Sequence, residues 1–349
     1  MLSRLLILSR KDEHVHLNFH PTALTILEIT ILIFVFIFKS ILTGLMILIA
    51  GTGHRPKITT VMPKLSVSMP FKLTEKDVNL YIKATSSTRE SLDADEASKA
   101  LFLSAVTEPC MLLLVAKRGC PIQPLGAVNV RNSFKLFRPE LCKISDLQSA
   151  EGAMVVATLG SEARIVKRGV EFDLVVELGV KVLDGDATEM KTVFRQVFTM
   201  LQFARIPKNV KLSEVPQKSE FEFKLDSAES QPKGLVQLAW KGPKDWARVC
   251  KDYNPIHISS IAAELYGLPG KIAHGNHMAA LALAKVERKS LKPDGGLTLD
   301  VRFKRPVTVP ARMDVRVEYE QLEGSEERVT HFALATGEKV YVQGEYREL

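Results

Sequence analysis

The sequence predicts an α+β protein of two related halves, each an antiparallel sheet curved round a buried helix, with an apolar helix ahead of them. Three observations lead there. Residues 278–284, Met-Ala-Ala-Leu-Ala-Leu-Ala, are small or apolar on every face, so a helix at that place has to be enclosed all round. The order helix, glycine/proline loop, strand occurs twice, with an offset of 171 between Arg131 and Arg302. Residues 22–50 are almost wholly apolar, and Glu28 and Lys39 are their only charged members.

From the N-terminus, residues 1–56 read as a targeting or membrane-anchor segment. Residues 1–11 carry Arg4, Arg10 and Lys11 among leucines and serines, the flavour of an organelle-targeting peptide, which Asp12 and Glu13 then dilute. The stretch 22–50 exceeds the ~20 apolar residues that cross a bilayer. It is expected to form a single-pass helix with Lys39 snorkelling, or a segment that lies on the membrane or docks against the domain. Basic residues on both sides leave its orientation open, and a mitochondrial or endoplasmic reticulum membrane would fit. The C-terminal Arg347-Glu348-Leu349 is not a peroxisomal tripeptide.

The next unit is expected over 57–205. There Thr107-Glu108-Pro109 reads as the start of an apolar helix over 110–117, stopped by Arg118-Gly119, since proline suits a first helical turn and glycine follows a last one. Strands are expected over 125–131, 172–178 and 193–201. A linker over 206–218, rich in Lys, Pro and Ser, leads to a second unit over 219–349. Its helix is expected from Gly275 to Arg288, and its strands over 297–303, 313–319 and 339–346, with Val315, Val317 and Tyr319 showing the alternation of a half-buried strand.

Composition bounds the chemistry. The chain has 349 residues, 46% hydrophobic and 25% charged, which suits two packed cores. Four cysteines, Cys110, Cys120, Cys142 and Cys250, form no CxxC pair and read as reduced, buried thiols. The net charge of +7 suits a polyanionic partner, or is spread over a solvated surface. Nothing resembles a phosphate cradle or an aromatic-rich basic stripe, so nucleotide and nucleic-acid work are not expected.

The chemistry-bearing run is Asp252-Tyr253-Asn254-Pro255-Ile256-His257, followed by Ala273-His274-Gly275-Asn276-His277. Asn-Pro between a carboxylate and an imidazole forces a turn that lets both face one pocket. A glycine opening a helix leaves backbone N–H groups free at the positive end of the dipole. Two acid/base groups and one carbonyl-polarising donor are what water addition to a conjugated carbonyl requires.

This run resembles the Gly-Asp-x-Asn-Pro-x-His signature, with a downstream His-Gly, of the MaoC-like dehydratases, which include the (R)-specific enoyl-CoA hydratases. Asp252, Asn254, Pro255, His257, His274 and Gly275 match it; Lys251 stands where many members have glycine, and Ser259 where many have an acidic residue. The resemblance implies a hot-dog fold, here doubled, and reversible hydration of trans-2-enoyl thioesters to (3R)-3-hydroxyacyl thioesters. It implies Asp252 and His257 as the dyad, in roles that stay open, and Gly275 N–H as the thioester-oxygen donor. Asn254, His274 and His277 would shape the site. No cofactor and no metal are implied, and the substrate handle is coenzyme A or an acyl carrier protein.

No histidine lies between Pro56 and Lys208, so the first unit cannot hold such a dyad and is expected to complete an intrachain pseudodimer and line an acyl tunnel. A homodimer of such chains stays open. Two other readings are a metal site at Asp252, His257, His274 and His277, and a non-catalytic membrane-tethered protein that binds acyl thioesters or scaffolds other enzymes.

Overall fold

The computed structural model describes residues 3–49, 60–184, 187–213, 221–227, 230–286, 296–321 and 328–348. The chain opens with a short helix, α1 (Ser3–Leu6), a strand, β1 (His14–His16), and the long α2 (Ile26–Ile49). There follow β2 (Ser66–Pro70), α3 (Glu75–Thr85), α4 (Arg89–Ala94), α5 (Glu96–Ala116), β3 (Ala127–Leu136), α6 (Ile144–Ser149), β4 (Met154–Val166), β5 (Gly169–Asp184) and β6 (Ala187–Phe203). The second half runs β7 (Gln231–Leu238), α7 (Gly242–Cys250), α8 (Pro255–Ile258), α9 (Ser260–Leu265), α10 (Gly275–Leu283), β8 (Leu297–Phe303), β9 (Ala311–Gln321), β10 (Arg328–Thr336) and β11 (Lys339–Glu348).

Among the described residues the strands form one sheet of eleven, in the order β1-β2-β4-β5-β6-β3-β8-β11-β10-β9-β7. Apart from β1, the order is the same read from either end: β2, β4, β5, β6 and β3 in one half answer β7, β9, β10, β11 and β8 in the other. The expectation of two separate sheets is corrected here, because antiparallel pairing of β3 with β8 fuses them into one. At that seam Arg131 pairs with Arg302, the two residues equated by the sequence offset. A residue facing its own counterpart is the mark of a two-fold, isologous contact, here made within one chain. Arg131 Nη2 also lies 2.7 Å from Asp300 Oδ1 across the seam.

Each half wraps a helix. α10 buries Met278, Ala279, Ala280, Ala282 and Leu283, as its all-round apolar sequence requires. α5 is the counterpart, and every residue from Ala97 to Ala116 is buried. It begins at Glu96, well before the predicted start at 110, since Pro109 lies inside the helix and not at its first turn. Asp95 caps it, its carboxylate accepting from Ser98 N at 2.8 Å. Proline removes one helical hydrogen bond, but full enclosure by the sheet carries the helix through. A polar thread joins the two helices: Asn276 Nδ2 donates to Ser104 Oγ at 3.0 Å, and Asn132 Nδ2 donates to Asn276 Oδ1 at 2.5 Å.

Residues between Leu5 and Phe36 pack into the N-terminal core. β1 runs parallel to β2, and Leu5, Leu8, Val15, Leu17, Phe19 and Leu24 are buried in one cluster with Met111 and Leu113. α2 packs by Glu28, Leu32 and Phe36, spaced at i, i+4 and i+8 on one helix face. Lys39, expected to snorkel, instead donates to the carbonyls of Val115 at 2.7 Å and Cys120 at 3.1 Å. The opposite face leaves Ile26, Leu27, Phe34, Phe38, Ile41 and Leu42 exposed. α5 is also long and apolar enough to cross a bilayer by composition, but from Ala97 to Ala116 it is buried in the core.

The strand predicted over 125–131 starts two residues before β3; the other predicted strands fall inside observed ones, and 297–303 coincides with β8. The helix predicted to Arg288 ends at Leu283. Residues 206–213 of the predicted linker carry no helix or strand, while 214–218 lie outside the described residues, as do 51–59 at the first predicted boundary.

Candidate active site

The site begins where α7 stops. Lys251 caps that helix with φ 58°, in the left-handed region that glycine occupies at least cost, and its Nζ donates to Arg248 O at 2.6 Å. The turn delivers Asp252, whose Oδ1 accepts from Asn254 N at 3.0 Å. Asn254 in turn caps the one-turn helix α8, its Oδ1 accepting from Ile256 N at 3.4 Å, with Pro255 at the first helical position. His257 is thereby carried back to face Asp252.

The imidazole of His257 is fixed through Nδ1, which donates to Ile272 O at 2.9 Å. That bond sets the tautomer, leaving the lone pair on Nε2. Nε2 faces Asp252 Oδ2 across 3.9 Å, too far for a direct bond. Burial pushes His257 below the ordinary imidazole value, against the opposing pull of Asp252 and of the Ile272 carbonyl, so the neutral base is favoured.

His274 precedes α10 and stacks on His257, ring centroids 3.7 Å apart. Its Nε2 donates to Asp252 O at 3.1 Å and lies 3.7 Å from Asp252 Oδ2. Burial, aided by His257 and His277, holds it well below the usual value. It therefore braces the loop and the partner ring as a neutral group. Gly275 is the first residue of α10, so its N–H has no acceptor within the helix. A Cβ there would meet the Phe303 ring at 2.6 Å, which makes glycine a steric requirement.

The structure brings Asp252, Asn254, His257, His274 and Gly275 onto one cavity of about 330 Å³, and leaves His277 out of it. His277 points toward α3, donating Nε2–H to Ala84 O at 2.8 Å and stacking on Trp246 at 4.9 Å. It is a packing residue, as a histidine one turn into a buried helix usually is.

The rest of the cavity comes from both halves. Met111, Leu112 and Val115 of α5, with Ile122 and Phe198, line an apolar arm, and Phe36 of α2 closes on it. Arg168, Lys304 and Arg305 border the same cavity and also a wider cleft of about 1220 Å³ across the β3·β8 seam.

Glu108 also lines the cavity, and the sequence reading passed over it as helix punctuation. Burial and the nearby Asp252 carboxylate raise it well above the carboxylate range, which keeps it protonated. Its signal was present: it is the lone charged residue between Ala100 and Ala116. The thiols are inert by the same physics, Cys110 and Cys142 being pushed up to about 12 by burial and Cys250 well above its ordinary value.

Asp252, His257 and His274 offer ligand atoms within 4.8 Å of one another, close enough to hold a metal ion. The proton on His274 Nε2 counts against that use, because its bond to Asp252 O would have to break before that nitrogen could ligate.

Family comparison rests on this same region. Residues 244–340, from α7 into β11, match the MaoC-like domain model. Residues 244–340 are thus a MaoC-like domain. The chain is 31% identical over 207 residues to 3-hydroxyacyl-thioester dehydratase X of Mycobacterium tuberculosis, a match covering 59% of this chain and 65% of that relative. A segment of 42 residues is 50% identical to the fatty acid synthase subunit beta of Aspergillus oryzae, 12% of this chain and 2% of that one. Two crystal structures share its fold. HtdX of Mycobacterium tuberculosis has a TM-score of 0.57 at 22% identity, covering 81% of this chain and 100% of the other. A MaoC-like dehydratase from Phytophthora capsici has a TM-score of 0.59 at 14% identity, covering 84% and 98%.

Proposed function

We propose that the protein adds water reversibly to trans-2-enoyl thioesters, giving (3R)-3-hydroxyacyl thioesters, in fatty-acid metabolism. One observation carries the reading. Asp252 Oδ2 and His257 Nε2 face each other across 3.9 Å beside the N-terminus of a buried helix, on an apolar cavity. Both atoms are acceptors, so a water between them donates one O–H to each and turns its lone pair to the substrate.

In hydration, that oxygen bonds to C3 while His257 Nε2 takes one proton, and the C2–C3 π pair moves to the thioester oxygen. Gly275 N–H meets the charge gathering on that oxygen, a contribution of about 2.7–4 kcal/mol for a donor of this kind. The enolate pair then returns to C2 and takes the proton from His257, which ends neutral. Asp252 orients the water throughout. Dehydration runs the same steps backward. The dehydratase named among the relatives supports the substrate class.

The acyl chain occupies the arm lined by Met111, Leu112 and Val115, and the polar handle leaves past Arg168, Lys304 and Arg305 into the wider cleft. That basic border suits the phosphates of coenzyme A or the acidic face of a carrier protein. The outer face of α2 seats in a membrane: Phe34, Phe38 and Ile41 are 66%, 65% and 63% exposed, side by side on one helix face. A mitochondrial or endoplasmic reticulum membrane is the site proposed.

The test is loss of the conjugated absorbance of trans-2-enoyl-CoA and of the carrier-bound thioester by the full chain in detergent. Hydration of either supports the reading. A folded protein that binds acyl thioesters and hydrates neither is a scaffold, and the proposal falls.

A further inference from the structure

We infer that α2 is the outer wall of the acyl pocket and that Phe36 sets the length of chain the pocket accepts; the thioester nature of the ligand rests on the function proposed above. Phe36 is 8% exposed and packs in one cluster with Met111, Leu112, Val115 and Ile122, the residues of the apolar arm. Leu32, Ile33 and Phe36 also border a small crevice whose other side is Asp252, Asn254 and Pro255, so the helix stands directly beside the catalytic loop.

Polar latches hold the wall in place. At one end Glu28 accepts from Arg4 at 2.6 Å and from Thr25 N at 2.9 Å. At the other, Lys39 bonds the carbonyls of Val115 and Cys120, so the end of α5 that lines the pocket is tied to α2 by a charge-assisted pair. Between the latches Leu32 and Phe36 pack on the apolar core. An aromatic ring at position 36 therefore bounds the arm on the side of α2.

The consequence is opposite shifts for opposite changes in volume. Each methylene newly accommodated in an apolar pocket is worth about fourfold in binding. Phe36→Ala should thus raise the preference for long over medium chains about tenfold or more, and Phe36→Trp should lower it by a similar factor. Phe36→Leu is a smaller step in the first direction, should the alanine variant not fold.

The experiment uses the full chain in detergent, with folding checked by thermal melting. Two probes carry pantetheine, the part common to both handles: trans-2-enoyl thioesters of graded length for turnover, and saturated acyl thioesters for binding. Opposite shifts of the length profile in the two variants support the wall. Unchanged profiles in folded variants overturn it, and turnover by the native chain then leaves the hydratase reading intact. Binding that shifts with position 36 while no thioester is hydrated keeps the wall and removes the hydratase. A folded native chain that binds no acyl length overturns the wall as well.

Discussion

Asp252 Oδ2 lies 3.9 Å from His257 Nε2, and 3.7 Å from His274 Nε2, so one carboxylate oxygen looks at an imidazole lone pair on one side and an N–H on the other. The two histidines are therefore not interchangeable. His257, its Nδ1 committed to Ile272, is the one able to take a proton from water.

Removing either half of the dyad should leave the fold and abolish the chemistry. Asp252→Asn and His257→Gln are each expected to lower kcat by about 10²–10⁴ with KM little changed, and the double variant to lose little more, because the two act as a unit. In the native protein, hydration should fall as pH drops through the His257 value. That value lies below the ordinary imidazole value, so activity persists in mild acid. Rates of enoyl-thioester hydration against pH check both points.

Gly275 is held open by Phe303. Gly275→Ala puts a methyl 2.6 Å from that ring and should lower the hydration rate about 10²–10³-fold by displacing the donor. Adding Phe303→Leu makes room and should recover a measurable part of the loss. A double variant no better than the single one would show that crowding is not the cause.

Glu108 should make the protein less stable as pH rises. Its folded value is raised, so between the ordinary carboxylate range and that value the folded state holds a proton that the unfolded state has lost. The unfolded state gains with rising pH, by up to about 1.4 kcal/mol per pH unit. Glu108→Gln, a neutral isostere, should flatten this slope and melt higher than the native chain at alkaline pH. Thermal melting at several pH values reads it directly.

His277 should give the opposite slope on the acid side. Burial holds it to about 4 against an ordinary 6.5, so the unfolded state binds the extra proton between those values. Stability is full above about pH 6.5 and falls by roughly 3 kcal/mol as pH drops to 4. His277→Phe keeps the stack on Trp246, removes this slope and leaves Ala84 O without its donor, at a cost of about 1–3 kcal/mol at neutral pH.

Much of this site was legible in the sequence because its parts are local. Asp252, Asn254, Pro255 and His257 form one continuous turn, and Lys251, noted for standing where many relatives have glycine, occupies the left-handed position that glycine favours. The seam pairing of Arg131 with Arg302 follows the same offset that revealed the halves. What stayed hidden depends on contacts remote in sequence. Pro109 looked like a helix start because local preference says so, and enclosure by the sheet overrode it. Glu108, Phe36 and Phe303 reach the cavity from three other elements, which no spacing within the motif could show. The apolar run at 22–50 gave composition without a partner, and only packing distinguishes its inner face from its outer one.

The wall and the loop it covers lie more than two hundred positions apart, and the ribosome makes the wall first. Throughout synthesis the inner face of α2 waits for Met111, then for Asp252 and Val307, before the pocket it encloses exists. An apolar helix left uncovered for that interval is an aggregation hazard.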